Sequence, residues 1–208
     1  MKKKTRIGII DYGINNVLSV YNAFQRLDCE IQVIKDHKIE INCDGIILPG
    51  VGSFGEAMNN LNKSGLSDLI KEEALHKKTP FLGICLGMQL MADDSTELNY
   101  NKGLSLIEGN VKKIDTKNLY RTPHIGWNNV ILSNNSQLFN TITNNSNFYF
   151  VHSYHYLCDE KYIIGKVDYG SKLTAAIQKD NIFGVQFHPE RSQRVGFDLL
   201  QNFIQYIL

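Results

Sequence analysis

Short apolar runs alternate along the chain with stretches whose apolar residues recur every three or four positions. Residues 6–11 read as a buried strand, closed by a turn at Tyr12-Gly13-Ile14-Asn15-Asn16. Val17, Val20, Tyr21, Phe24 and Leu27 then share one helical face, with Asn15 or Asn16 placed to cap the helix. Two further strands are predicted at Glu30–Ile34 and Gly45–Leu48, the second ending in Pro49-Gly50-Val51-Gly52. Helical spacing returns over 54–61 and 66–75. A fourth strand, Phe81–Ile84, runs straight into Cys85 and another helix. Strand, turn, helix, strand, helix is the order of a parallel sheet covered by helices on both faces, an α/β fold.

The pattern changes after Asp93. Residues 104–114, 128–132, 148–152, 162–167, 173–178 and 183–187 are short and strand-like, separated by Asn-, Ser- and Gly-containing turns. They predict additional antiparallel strands in the C-terminal half. Residues 133–147 are dense in Asn, Ser and Thr and read as an exposed connection with a short helix around 138–142. Leu199, Leu200, Phe203, Ile204 and Ile207 give an amphipathic closing helix. No repeat and no linker divides the chain, so residues 1–208 are expected to form a single domain.

At 208 residues and 43% hydrophobic content the chain can bury a full core without disulfides or metals. A net charge of +1 argues against nucleic acid or anionic membrane as the main partner, since either needs a basic face. Lys2-Lys3-Lys4 is the one basic run and reads as a solvated segment. No segment has the roughly 18 apolar residues of a membrane span, and Asp11 and Gly13 interrupt the early apolar run where a signal peptide would continue. A soluble cytoplasmic protein is expected. Four cysteines are too sparse for a disulfide scaffold and show no metal-ligand spacing; Cys29, Cys43 and Cys158 read as small buried hydrophobes. Neither a metal nor a cofactor is called for.

Cys85 is different. It sits between Gly83 and Gly87 where a strand becomes a helix, the layout of a nucleophile elbow. The unpaired N–H groups and dipole at the start of the following helix favour a thiolate. A cysteine nucleophile needs a base, and the base needs an orienting acceptor. His188-Pro189-Glu190 follows an apolar strand and offers both, the two side chains pointing the same way if that segment is extended. Thiolate attack on an acyl carbon creates an oxyanion that needs two N–H donors. The N–H of Val51 or Gly52 and that of Leu86, the residue after the nucleophile, are the candidates.

G-I-C-L-G-M-Q, P-G-V-G-S-F-G, F-V-H-S-Y and Q-F-H-P-E together resemble the motif set of the class I (triad-type) glutamine amidotransferases, a flavodoxin-like fold. D-Y-G-x-x-N, L-P-G-V-G-x-F-G and P-H-I-G-W-N narrow the likeness to the glutaminase subunits of imidazole glycerol phosphate synthases. It runs from Arg6 to the C-terminus with the motifs in order. Anthranilate-type and GMP-type enzymes usually carry His where this chain has Met88, and the vitamin B6 glutaminases match poorly around Gly50.

The resemblance implies a Cys85–His188–Glu190 triad that hydrolyses glutamine to glutamate and ammonia. It also implies a heterodimer with a (β/α)₈-barrel synthase, the cyclase subunit, which receives the ammonia and makes imidazole glycerol phosphate and AICAR in histidine biosynthesis. Gly50, Gly52, Gln89, Glu97, His152, Ser153 and Tyr154 match glutamine-binding positions. His124 reads as structural. Trp127 matches a position towards the synthase interface. The family's usual G-x-G-N is here Gly13-Ile14-Asn15-Asn16, and Arg191 stands where Lys is usual after HPE. Asn15, Trp127 and Arg191 therefore mark the partner interface. The departures leave open a paralogous glutaminase that supplies ammonia to a sugar-aminating partner in surface polysaccharide biosynthesis.

Overall fold

A computed structural model of the chain describes residues 4–13, 16–133 and 135–208. The first half alternates strand and helix, as its periodicity predicts: β1 (Arg6–Ile10), α1 (Val17–Arg26), β2 (Glu30–Ile34), β3 (Gly45–Leu48), α2 (Phe54–Lys63), α3 (Leu66–Lys71), β4 (Phe81–Ile84) and α4 (Leu86–Gln89). A single π-helical turn, Glu72–His76, continues α3. The second half supplies β5 (Asp94–Ser95), β6 (Asn101–Lys102), β7 (Asn110–Lys113), β8 (His124–Leu132), β9 (Ser146–His152), β10 (Tyr154–Leu157), β11 (Ile163–Asp168), β12 (Lys172–Lys179), β13 (Ile182–Val185) and the closing helix α5 (Gln193–Ile207).

Nine strands form one mixed sheet in the order β2-β1-β3-β4-β13-β12-β11-β8-β9. From β2 to β13 the pairings are parallel, and from β13 to β9 they are antiparallel. The α/β half and the antiparallel extension anticipated from the sequence are thus one continuous sheet. A second sheet, β10-β7-β5-β6, stands beside it.

The central strands are buried on both faces, so their apolar runs are continuous rather than alternating. Neighbouring side chains feed opposite cores. Ile47, Leu82 and Phe183 join Phe24 of α1 and Leu200 and Phe203 of α5, whereas Ile46, Phe81 and Ile182 join Phe54 of α2 and Ile70 of α3. Each such side chain, removed from water, contributes about 1.5–3 kcal/mol before entropy is counted.

Four expectations change. Residues 104–114 are not one strand: Leu104 and Leu106 donate their N–H groups to Leu90 and Met91 in the loop after α4, and only Asn110–Lys113 joins a ladder. The apolar residues there are explained by burial in the core that holds Phe54 and Ile70, not by strand pairing. The helix expected around 138–142 is a 3₁₀ turn, Gln137–Phe139, capped by Ser136 Oγ. Asn16 adopts left-handed φ at the start of α1, but its side chain makes no cap bond. Cys29, Cys43 and Cys158 are half-buried rather than buried.

Asn15, Lys2 and Lys3 lie outside the described residues. Lys4 is exposed and pairs with Asp28. No helix among the described residues is long and apolar enough to cross a membrane.

Candidate active site

The carboxyl ends of β1, β3, β4 and β13 converge on one side of the sheet, where ligands bind in open α/β folds. The segments that follow carry Tyr12, Pro49–Gly52, Cys85 and His188. The elbow is built as its sequence predicts. Cys85 takes φ 55° and ψ −110°, an uncommon conformation for a residue with a Cβ. Its N–H is fixed to the Val185 carbonyl at 2.8 Å. Gly87 is dictated by contact: a Cβ there would lie 1.7 Å from the Leu48 carbonyl oxygen. β3 and the start of α4 could not approach so closely with any other residue.

One prediction about the elbow weakens. The helix behind Cys85 is a single turn, Leu86–Gln89, too short for a full macrodipole. What remains are the N–H groups of its first residues, which have no acceptor within the helix.

His188 and Glu190 are held by a 3₁₀ turn, Pro189–Arg191, and not by an extended segment. The turn still brings them together: His188 Nδ1 lies 2.8 Å from Glu190 Oε1, with both side chains sealed from solvent. Because a carboxylate only accepts, Nδ1 carries the proton and Nε2 is left to act as base. Nε2 has no hydrogen-bond partner among the described residues, which leaves it free for the thiol. Burial lowers the pKa of His188, but the neighbouring Cys85 and the hydrogen bond and charge of Glu190 outweigh it and raise the imidazole well above its ordinary value. Burial likewise opposes ionisation of Glu190, and the hydrogen bond and charge of His188, with help from Asn16, bring its pKa below the usual range. The arrangement sets the imidazole between the Cys85 sulfur and a carboxylate, where it can take a proton and hold it.

The other cysteines contrast with Cys85. Burial pushes the thiols of Cys29 and Cys43 up to about 11 and that of Cys158 up to about 12. None of the three lines the cavity described next.

Above Cys85 opens a cavity of about 430 Å³. Val51, Gly52, Leu86, Gln89, Glu97, His152, Ser153 and Tyr154 line it with Cys85, so most of the residues singled out in the sequence meet there. Gly50 does not reach the cavity wall; it is buried beneath it, where a Cβ would strike the Tyr12 hydroxyl. His188 and Glu190 do not line the cavity; their side chains are buried. Gly52 has φ 108°, open to glycine and strained for any other residue. Arg191, expected at a partner interface, is exposed on the cavity wall. Trp127 is about half exposed and borders a separate groove with Arg194. Pro123 and Val151 also line the cavity and carried no chemical signal in the sequence.

Glu97 does more than face the cavity. Its Oε2 accepts from the Phe54 N–H at 2.7 Å, capping α2, whose own cap residue Ser53 makes no side-chain bond. Two of the cavity side chains are ordered by one carbonyl. Tyr154 O accepts from Gln89 Nε2 at 3.0 Å and from His152 Nδ1 at 2.9 Å. His152 Nε2 must then accept from His124 Nδ1 at 2.9 Å, and His124 Nε2 from Asn128 at 3.3 Å. Both histidines are therefore neutral. Burial depresses His152 to about 3 and His124 to about 4. His124 stacks between Phe150 and Tyr169, in keeping with a structural role.

A nucleophile, a base with its orienter and a cavity bearing polar side chains, with backbone N–H groups nearby, are the parts needed for acyl transfer from a small polar substrate. Residues 8–206 match the family model described as glutamine amidotransferase class-I. The chain is 44% identical over 201 residues to the imidazole glycerol phosphate synthase subunit HisH of Methanocaldococcus jannaschii, covering 97% of this chain and 100% of that protein. It is 43% identical over 199 residues to subunit HisH 1 of Campylobacter jejuni, covering 96% and 99% respectively. Among solved structures, PurLQS of Thermotoga maritima superposes with a TM-score of 0.77 at 19% identity, over 99% of this chain and 100% of the other. A glutamine amidotransferase from the same organism gives 0.74 at 16% identity, over 99% and 98%. At such identities the structural matches speak for the fold alone.

Proposed function

The chain belongs to the class I glutamine amidotransferases, and from that premise we propose that it is the glutaminase subunit of an imidazole glycerol phosphate synthase. The observation that carries the specific reading is its near-full-length identity to relatives bearing that name. Those relatives do not favour the alternative of a glutaminase serving polysaccharide biosynthesis.

The geometry supports the following chemistry. Cys85 Sγ attacks the glutamine carboxamide carbon, and its proton passes to His188 Nε2. Backbone N–H groups of Leu86 and of Val51 or Gly52 receive the oxyanion. The C–N bond breaks as His188 returns the proton to the leaving nitrogen, which departs as ammonia and leaves a Cys85 thioester. Water, deprotonated by His188, attacks the thioester and frees glutamate and the thiol. Glu190 holds the imidazole and offsets its charge throughout. It is a positioning group in this scheme and need not exchange a proton.

The pocket supports an amino-acid substrate. Glu97 supplies an acceptor for the ammonium, and Gln89 and the 152–154 corner supply polar groups for the remainder. We further propose that the chain acts as one domain in a heterodimer with a barrel-type cyclase subunit, in the cytoplasm, with Asn15, Trp127 and Arg191 contributing to the interface. Reconstitution tests the reading. Mixed with its cognate cyclase, the chain is expected to convert glutamine and N′-phosphoribulosyl-formimino-AICAR-phosphate to imidazole glycerol phosphate and AICAR. Glutamine hydrolysis without that product would remove the proposed pathway.

A further inference from the structure

Beneath Cys85 lies a polar residue that the triad does not use. Gln186, completely buried, follows β13 two residues before His188. Its Nε2 is 3.8 Å from Cys85 Sγ, and its Oε1 accepts from Gln89 Nε2 at 2.9 Å. The backbone holds it in place, its N–H donating to Ala175 O at 2.8 Å.

The direction of this chain of bonds is fixed by elimination. Tyr154 O is a carbonyl and can only accept, so the Gln89 atom beside it is the amide nitrogen. That nitrogen also meets Gln186 and must find an acceptor there, which turns the Gln186 oxygen towards Gln89. The Gln186 amide nitrogen is then left facing the sulfur. A neutral thiol could donate to the Val151 carbonyl, 3.9 Å from Sγ. A thiolate cannot donate, and a carbonyl pointed at it is unfavourable. Gln186 presents a donor, and a donor favours the charged form.

We propose that Gln186 is a positioning residue for the half-reaction at Cys85: its amide hydrogen-bonds the thiolate, and its carbonyl simultaneously holds the Gln89 side chain against the substrate cavity. Nucleophile and pocket wall are thus coupled through one buried amide. A donor at the sulfur compensates for the brevity of the helical turn behind the elbow, which offers little dipole of its own. The inference deepens the glutaminase reading and rests on it only for the identity of the substrate.

The test is the pH profile of Cys85 alkylation by iodoacetamide, read on the Cys85 peptide by mass spectrometry, in the full chain and in Gln186→Met. Methionine keeps the length and removes the donor. The midpoint of the profile is expected to move up by about one pH unit, with roughly a tenfold slower reaction at pH 7. The KM for glutamine should also rise as Gln89 loses its acceptor. An unchanged midpoint in folded Gln186→Met overturns the proposal. Should that variant fail to fold, the ¹⁵N-labelled wild-type chain serves instead. The Gln186 side-chain amide resonance should shift with the alkylation midpoint and lose that dependence in Cys85→Ser; a pH-independent resonance in the wild type overturns the proposal equally. Neither the alkylation profile nor the amide resonance requires glutamine turnover, so loss of the glutaminase reading would leave this result distinguishable.

Discussion

Asn16 and Glu190 are 174 positions apart in sequence, yet Asn16 Nδ2 donates to Glu190 Oε1 at 2.8 Å. It is the same oxygen that takes the proton-bearing Nδ1 of His188. Asn16, at the start of α1, therefore reaches across to the carboxylate beside His188. Asn16 sits in left-handed φ with its side chain aimed inward instead of closing α1.

That contact has a measurable consequence. Hydrogen bonds to charged groups are worth about 1.5–3 kcal/mol, so Asn16→Ala is expected to lower kcat for glutamine roughly tenfold to a hundredfold with little change in KM. Asn16→Asp should be worse, because a second carboxylate beside Glu190 raises its pKa and weakens its hold on the imidazole. Steady-state kinetics of the two variants check this; kcat within twofold of wild type for Asn16→Ala would remove Asn16 from the active-site framework.

The sequence carried the elbow and the base because each is a local motif: glycines flank Cys85, and His188 and Glu190 are two apart. It also carried the central strands, whose burial on both faces leaves unbroken apolar runs. The Asn16 contact was not legible. Asn before a helix reads as a cap by local chemistry, and nothing local says that its amide has a distant carboxylate to satisfy. Gln186 was hidden in the same way, a polar residue at a strand end whose partners lie 97 and 101 positions away. The small sheet was missed because β5 and β6 have only two residues each, too few to show any period. The helical pattern of 66–75 concealed a change from α to π geometry at Glu72, since both keep apolar residues on one face.

Glu97 has two separable duties. In Glu97→Gln the amide oxygen can still accept from the Phe54 N–H, while the charge offered to a substrate ammonium is gone. The KM for glutamine is expected to rise about tenfold or more with kcat and thermal stability little changed. Glu97→Ala should raise KM comparably and also lose about 1 kcal/mol of stability with the cap. Kinetics and thermal melts on the same samples separate the effects, and an unaltered KM in both variants would exclude Glu97 from the glutamine pocket.

His152 makes a prediction about acid stability. Its folded pKa of about 3 lies below the ordinary histidine value near 6.5 because burial opposes the charge. Above 6.5 it is neutral in both states and contributes no pH dependence. Between about 6.5 and 3 the unfolded chain binds a proton that the folded chain refuses, so stability falls as pH falls. The limiting slope is about 1.4 kcal/mol per pH unit. His152→Gln can keep the bonds to Tyr154 O and His124 without titrating. Urea unfolding at pH 7, 6 and 5 should show a shallower acid loss in the variant than in the wild type; parallel curves would contradict a neutral buried His152.

In the proposed reaction Cys85 takes glutamine's acyl group and ammonia is released. The most direct measurement compares glutamine and ammonium chloride as nitrogen donors for imidazole glycerol phosphate formation by the complex of cyclase with Cys85→Ala. Loss of the glutamine-dependent rate by about a thousandfold or more, with the ammonia-dependent rate unchanged, is the predicted result. Glutamine-dependent synthesis that survives the substitution would contradict it.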